Sequence, residues 1–273
     1  MTNVAIIGCG YVGLRVAAQW QAADLTVTGT TTRADRIPEL EPVCDRAIIL
    51  NSQDQATLKR VLHEQDTLLV AVAPSGGRSY GETYLPTAEA IAALAPQLPQ
   101  LQQIIYTSTY SVYGDHQGSW VTEETPPNPV SANGEIMVAT EQTYLQIPNV
   151  KVCILRLGGI YGPGRTLERI FNRWAGQTRP GTGARWSNWV HLDDIVGAIA
   201  FAQAQQLEGI YNLVQDEILT TRALIEQVCD RHQLAPVTWD ASQPDTRTYS
   251  VRCSNQKLKA AGYPFKHPQF WQE

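Results

Sequence analysis

The chain has 273 residues, of which 43% are hydrophobic, a formal net charge of −5 and five cysteines. That length suits one large α/β domain, or such a domain with a small second lobe. The acidic balance and the lack of any Lys- or Arg-rich run argue against nucleic acid as a main partner, and no apolar run reaches membrane-spanning length, 195–202 coming closest. The first apolar residues already belong to a strand, so no signal peptide is read at the start. Cys9, Cys44, Cys153, Cys229 and Cys253 are scattered and form no Cys-x-x-Cys pair. Neither a zinc site nor a disulfide framework is expected from them, and a reducing cytoplasm is the expected compartment. Cys9 reads as a small packing residue.

The chain opens on Val4-Ala5-Ile6-Ile7, which runs into Gly8-Cys9-Gly10-Tyr11-Val12-Gly13 and then a helical pattern through Leu14, Val16, Ala17 and Trp20. Strand, tight turn and helix in that order are the context in which Gly-x-Gly-x-x-Gly binds a dinucleotide. Gly8 permits the turn, Gly10 lets backbone approach a diphosphate, and Gly13 lets helix and strand pack closely. The helix N-terminus offers unpaired N–H groups and a positive dipole end. Gly8, Gly10, Tyr11, Val12 and Gly13 are therefore candidate cofactor contacts. The second strand, from Leu25 to Gly29, ends in Thr30-Thr31-Thr32-Arg33. An acid that would hold an adenosine ribose is expected there, and none is present. Thr30, Thr31, Thr32 and Arg33 take its place, and a guanidinium pairs with a 2′-phosphate. That charge logic favours NADP, with NAD as the alternative; Arg33 as a plain solvated residue is the simpler reading.

A third strand is read at Arg46–Asn51 and a helix at Gln55–His63. A fourth strand, Thr67–Ala73, is apolar enough for burial on both faces. It ends at Ala73, a further candidate cofactor contact, and at a Pro74-Ser75-Gly76-Gly77 loop. Thr87–Leu98 reads as an alanine-rich helix closed by Pro96 and Pro99. The fifth strand, Gln103–Thr107, leads into Ser108-Thr109-Tyr110-Ser111-Val112-Tyr113-Gly114, and Thr107 is a candidate contact at its end. A helix is predicted over Val130–Gln146, a sixth strand over Val152–Leu157, a helix over Thr166–Trp174, a strand over Gly209–Val214 and a helix over Thr221–His232. Strands alternate with helices, so the fold class is α/β: a Rossmann-type, doubly wound parallel sheet with a small C-terminal substrate lobe. The core is assigned to 1–159 with 189–204, and the lobe to 160–188 and 205–273. The chain is expected to be a monomer or a homodimer acting on a small molecule, with no nucleic acid or membrane partner.

Several segments together make the chain resemble the extended short-chain dehydrogenase/reductase family, which includes nucleotide-sugar epimerases and dehydratases. They are the opening glycine turn, Tyr106 to Gly114, Leu155 to Arg165, Trp189 to Ile195, and the tail from Arg252 to Pro264. The likeness spans almost the whole chain, and the Gly-x-Gly-x-x-Gly spacing is similar to that of the atypical branch. The resemblance implies that the region from 160 covers the substrate, and that the nicotinamide lies near Thr109 and the loop after Leu157. It implies a hydroxyl residue at Thr109 and a Tyr-x-x-x-Lys pair on the following helix. Asn133 stands at the tyrosine position and Met137 at the lysine position. An amide exchanges no proton near neutral pH, and a thioether carries no charge to depress a neighbour's pKa.

Tyr110, Tyr113, Tyr161 and His191 are the residues that could replace the tyrosine, with Arg165 or Arg185 as the required cation; packing is the simpler role for each. Asp193 and Asp194 read as caps for the helix from Ile195. Arg165, Arg169, Arg173, Arg179 and Arg185 either hold an anionic group or form a solvated basic face. No metal ligands are assigned. Three functions are compatible with these residues. The first is an NADP(H)-binding oxidoreductase or epimerase/dehydratase-like enzyme. The second is a non-catalytic dinucleotide sensor. The third, a hydroxy-acid dehydrogenase of another superfamily, lacks the all-helical C-terminal domain it requires.

Overall fold

Short runs of β-branched and leucine residues build the central sheet of the protein, whose computed structural model describes residues 2–246 and 248–271. Its strands are β1 (Asn3–Ile7), β2 (Thr26–Thr31), β3 (Arg46–Ile49), β4 (Thr67–Val70), β5 (Gln103–Thr109), β6 (Lys151–Leu157) and β7 (Gly209–Leu213). They lie in the order β7-β6-β5-β4-β1-β2-β3. The pairs β1–β2, β1–β4, β2–β3 and β4–β5 are parallel, with Val4 opposite both Val27 and Thr67. Val4, Ala5, Ile6, Leu68, Leu69 and Val70 are sealed from solvent, as expected of parallel strands covered on both faces. The chain runs outward from β1 through β2 to β3, then returns to β4 and proceeds the other way. The switch point between β1 and β4 is where doubly wound sheets bind ligands, at the carboxyl ends of the strands.

The principal helices are α1 (Gly13–Ala22), α2 (Gln55–Leu62), α3 (Tyr80–Leu94), α4 (Ala132–Leu145), α5 (Leu192–Ala204) and α6 (Thr221–His232). The first two show the pattern of an apolar side turned inward: Val16, Ala17 and Trp20 on α1, Leu58, Val61 and Leu62 on α2. α3 begins seven residues before the predicted Thr87, at a capping box. The Ser79 hydroxyl accepts the Glu82 N–H at 3.3 Å, and the Glu82 carboxylate accepts the Ser79 N–H at 2.8 Å. Pro86 then sits inside the helix. Two satisfied end groups offset the hydrogen bond that a proline cannot make. Among the described residues no helix is long and apolar enough to cross a membrane.

The chain divides into two compact units. The first comprises Met1–Thr109, Ser131–Arg156 and Val196–Tyr211; the second comprises Tyr110–Val130, Leu157–Ile195 and Asn212–Glu273. Residues 110–130 and 189–195 thus join the second unit, whereas the sequence boundaries assign them to the core. Four two-stranded pairs frame the second unit: Gly159–Tyr161 with Trp189–His191, Thr178–Pro180 with Thr238–Asp240, Trp186–Ser187 with Leu219–Thr220, and Trp120–Val121 with Arg252–Cys253. Its core packs Tyr161, Leu167 and Phe171 against Leu224, Ile225, Val228 and the tail residue Phe270. Buried Asn188 fastens the last of those pairs, donating to the Val251 carbonyl at 3.0 Å and accepting the Cys253 N–H at 2.8 Å.

Candidate functional site

Every candidate cofactor residue lies in the first unit, at the carboxyl ends of β1, β2, β4 and β5. The three glycines of the opening turn answer different needs. Gly8 has φ +99°, and a Cβ there would lie 2.6 Å from the Ala71 carbonyl oxygen. A Cβ on Gly13 would lie 2.4 Å from the Gly8 carbonyl oxygen. Neither position tolerates a side chain, because rigid backbone occupies the space. At Gly10 nothing stands within 4 Å of the position a Cβ would take. The protein's own packing therefore gives no reason for that glycine. A glycine there leaves the backbone open to close approach.

α1 starts beside this open space. Its N-cap, Val12, supplies no side-chain hydrogen bond, and the first turn carries no acidic residue. The end of the helix thus presents backbone N–H groups without a competing carboxylate, the arrangement that favours phosphate. Cys9 faces inward. The hydrogen bond it shares with Cys44, and then burial, hold its thiol far above the ordinary range. Both sulfurs press on Gly29, where a Cβ would lie 2.4 Å from Cys44 Sγ and 3.0 Å from Cys9 Sγ.

The β2 end separates the threonines. The Thr30 hydroxyl is buried and donates to the Ile6 carbonyl at 3.0 Å, so it locks β2 to β1. The Thr31 hydroxyl accepts the Arg33 N–H at 3.3 Å and shapes the turn. Thr32 and Arg33 are exposed. Arg33 donates from Nε to Asp35 at 3.0 Å, and Arg36 donates to Glu39 at 2.8 Å. Each guanidinium already holds a carboxylate at the surface, two or three residues along the chain. Ala73 is exposed beyond the end of β4, and the Thr107 hydroxyl donates to the Val70 carbonyl at 3.3 Å. Thr109 closes β5 and is half-buried.

The two positions at which the resemblance implies a tyrosine and a lysine lie on α4. Asn133 is exposed in its first turn. Met137 is buried, and its sulfur takes the Tyr106 hydroxyl at 3.7 Å. Burial pushes the Tyr106 phenol well above its ordinary pKa, so that hydroxyl keeps its proton at neutral pH. One turn further along, Glu141 receives two buried donors. Ser108 donates to it at 2.6 Å and Arg156 at 2.6 Å from one guanidinium nitrogen and 3.1 Å from Nε. Arg156 and Glu141 are 2% and 3% exposed at their side chains, which identifies a desolvated pair holding β5, β6 and α4 together.

Within the second unit the tyrosines considered as proton carriers are engaged. Tyr113 is buried and donates to Asn212 at 2.8 Å, Tyr161 donates to Gln215 at 2.9 Å, and Tyr110 packs edge-on against Tyr249. Burial raises the Tyr161 phenol far above its ordinary pKa rather than lowering it. The arginines are engaged as well. Arg165 donates to the Ile160 carbonyl and Arg169 to that of Gly164, Arg173 and Arg179 cover the Trp174 ring, and Arg185 pairs with Asp245. Asp193 and Asp194 fall in the first turn of α5, which begins at Leu192. Asp194 is fully buried and accepts the Lys266 and His267 N–H groups at 2.7 and 2.9 Å. It therefore anchors the C-terminal segment instead of capping α5. Sequence spacing could not reveal this, because the partners are far apart in the chain.

A parallel doubly wound sheet, a glycine turn at its switch point and an uncapped helix end define a Rossmann-type α/β protein with a nucleotide-binding geometry. The model of the NAD-dependent epimerase/dehydratase family matches residues 4–213, and the chain belongs to that family. It is 34% identical to Protein YeeZ of Escherichia coli K12 over 220 residues, which cover 78% of this chain and 77% of that protein. A conserved protein of unknown function from Silicibacter pomeroyi superposes with a TM-score of 0.81 at 24% identity, covering 98% of this chain and 95% of its own. UDP-glucose 4-epimerase of Thermus thermophilus, solved as a complex with NAD, superposes with a TM-score of 0.78 at 23% identity, covering 97% of this chain and 94% of its own.

Proposed function

We propose that the first unit binds a pyridine dinucleotide whose diphosphate rests on the turn at 8–13. On this reading the protein is an atypical NADP(H)-dependent oxidoreductase or epimerase/dehydratase-like enzyme acting on a small, anionic or sugar-nucleotide substrate. The observation that carries the reading is the open space at Gly10, beside an uncapped helix end, between two glycines that backbone contacts already account for. The NAD held by the Thermus thermophilus epimerase supports the cofactor class. Tyr11, Val12 and Gly13 would supply N–H donors to the diphosphate. Arg33 would exchange Asp35 for a 2′-phosphate, an exchange that costs little because the Arg33–Asp35 pair is exposed. The nicotinamide supplies a hydride donor or acceptor when bound. Thr109 would then hold a substrate oxygen by hydrogen bonding.

Gly10→Ala tests the diphosphate cradle. Thermal stability should stay level or rise by up to about 1 kcal/mol, since alanine narrows the unfolded ensemble. Calorimetric affinity for NADPH should fall at least tenfold. Unchanged affinity, or no affinity of the ligand-free protein for any pyridine dinucleotide, overturns the reading. Arg33→Ala should weaken NADPH about tenfold and leave NADH unaltered; equal losses for both would remove the NADP preference.

A second reading, binding without turnover, is favoured by one observation. The α4 positions hold an exposed amide and a buried thioether instead of a proton-carrying pair. Turnover of NADPH across a panel of carbonyl compounds and nucleotide sugars separates the two, and any such activity excludes the pure sensor.

A further inference from the structure

We propose that the second unit carries a transition-metal site formed by the imidazoles of His191 and His267 and the carboxylate of Asp193. Among the described residues these three are the one group of His, Cys, Asp and Glu whose ligand atoms all lie within 4.8 Å of one another. Two segments far apart in the chain deliver them. His191 ends the strand Trp189–His191, which pairs with Gly159–Tyr161 and sets its ring edge-on to Tyr161 at 5.1 Å. Asp193 follows in the first turn of α5. His267 comes from the C-terminal segment, which buried Asp194 fixes through the Lys266 and His267 N–H groups and the Tyr263 hydroxyl. The framework around the three groups is thus already rigid.

The distances fit a shared ion. Asp193 Oδ2 lies 3.7 Å from His191 Nδ1 and 3.6 Å from His267 Nε2. Those gaps are too long for strong hydrogen bonds. Two N or O ligands about 2.0–2.1 Å from one ion at near-tetrahedral angles stand roughly 3.3–3.6 Å apart. A contraction of a few tenths of an ångström would close the site. The two imidazoles lie 3.8 Å apart between centroids and are tilted by 37° to each other, so both rings border the same small space. The Asp193 N–H donates to His191 Nδ1 at 3.2 Å. That bond keeps Nδ1 unprotonated, and the ion would take over its lone pair. Gly162 leaves the ring its room, since a Cβ there would lie 3.2 Å from His191 Nε2.

The site borders a cavity of about 360 Å³ lined also by Tyr161, Thr166, Glu168 and His232. Three of the chain's five histidines line it. Two imidazoles and one carboxylate select zinc and its neighbours over magnesium or calcium. Three protein ligands leave a further coordination position, which the cavity can fill with water or a small anion.

The test uses the full-length chain, purified without a histidine tag and stripped with chelator. Calorimetric titration with zinc chloride should show one equivalent bound with micromolar or tighter affinity. Cobalt(II) should give visible bands of a low-coordinate N/O site. His267→Gln and Asp193→Asn should each weaken zinc at least tenfold and abolish the cobalt bands, while His63→Ala, an exposed histidine elsewhere, should change neither. His267→Gln keeps a polar side chain of related size, and circular dichroism checks that it folds. The absence of a one-equivalent isotherm, or one that His267→Gln and Asp193→Asn both leave intact, overturns the proposal.

Discussion

Glu141 is where a single side chain decides most. It answers a guanidinium and a hydroxyl in an interior sealed from solvent. Glu141→Ala should cost about 3–5 kcal/mol by denaturant unfolding, because it strands the Arg156 charge. Replacing Glu141 and Arg156 together by apolar residues of matched volume should recover much of that loss, since burying both charges is itself expensive. Gly29 is a second such point. Gly29→Ala drives a methyl group into the Cys9 and Cys44 sulfurs and should cost about 1–3 kcal/mol by thermal unfolding; a neutral result would mean that the sulfurs can shift. The residue scale is also where the sequence is least informative. The three-threonine run after Gly29 reads as uniform, yet the buried Thr30 hydroxyl serves β1, Thr31 serves the turn and Thr32 faces solvent. Side-chain direction alternates along a strand, but which face is sealed depends on what packs there.

At the scale of elements, local chemistry sets the ends. α6 begins where Thr220 accepts the Ala223 N–H at 3.2 Å and ends at Gln233 in the left-handed conformation, and Thr221–His232 is read at those bounds from sequence. Thr220→Ala should cost about 1 kcal/mol, measured as a shift in urea midpoint. α3 starts earlier than the sequence predicts. A Gly-Gly pair and an internal proline argue for loop, while Ser79 and Glu82 three residues apart argue for helix, and the reciprocal cap prevails. On α4, the Asn133 side chain is exposed, so Asn133→Ala should leave stability within about 0.5 kcal/mol. If it also abolishes a turnover found in the substrate panel, the amide takes part in the chemistry.

At the scale of the whole molecule, both units bury phenols. Tyr106 and Tyr144 in the first and Tyr161 and Tyr263 in the second have pKa values pushed far up by burial, and Tyr84 is pushed up to about 12. The native state keeps these protons above pH ~10, where an unfolded chain releases them. The unfolded state then binds fewer protons, so stability is intact below about pH 10 and falls as pH rises beyond it. A thermal midpoint that stays level from about pH 7 to 9 and drops between about 10 and 12 is expected, and Tyr144→Phe should make that drop shallower. A midpoint indifferent to alkali would mean that the phenols are solvated.

The sequence alone determined the sheet, the strand–helix alternation and the glycine turn, because these rest on short-range effects: apolar runs, backbone freedom at glycine and the spacing of caps. It also exposed Asn133 and Met137 on α4. Only the tertiary structure decided which glycine of the turn faces open space, that Arg33 and Arg36 hold carboxylates of their own, that Asp194 anchors the C-terminal segment, and that His191, Asp193 and His267 meet. Those outcomes depend on how side chains are placed in space, most of them between segments remote in the chain, and such placement leaves no periodicity for a linear pattern to carry.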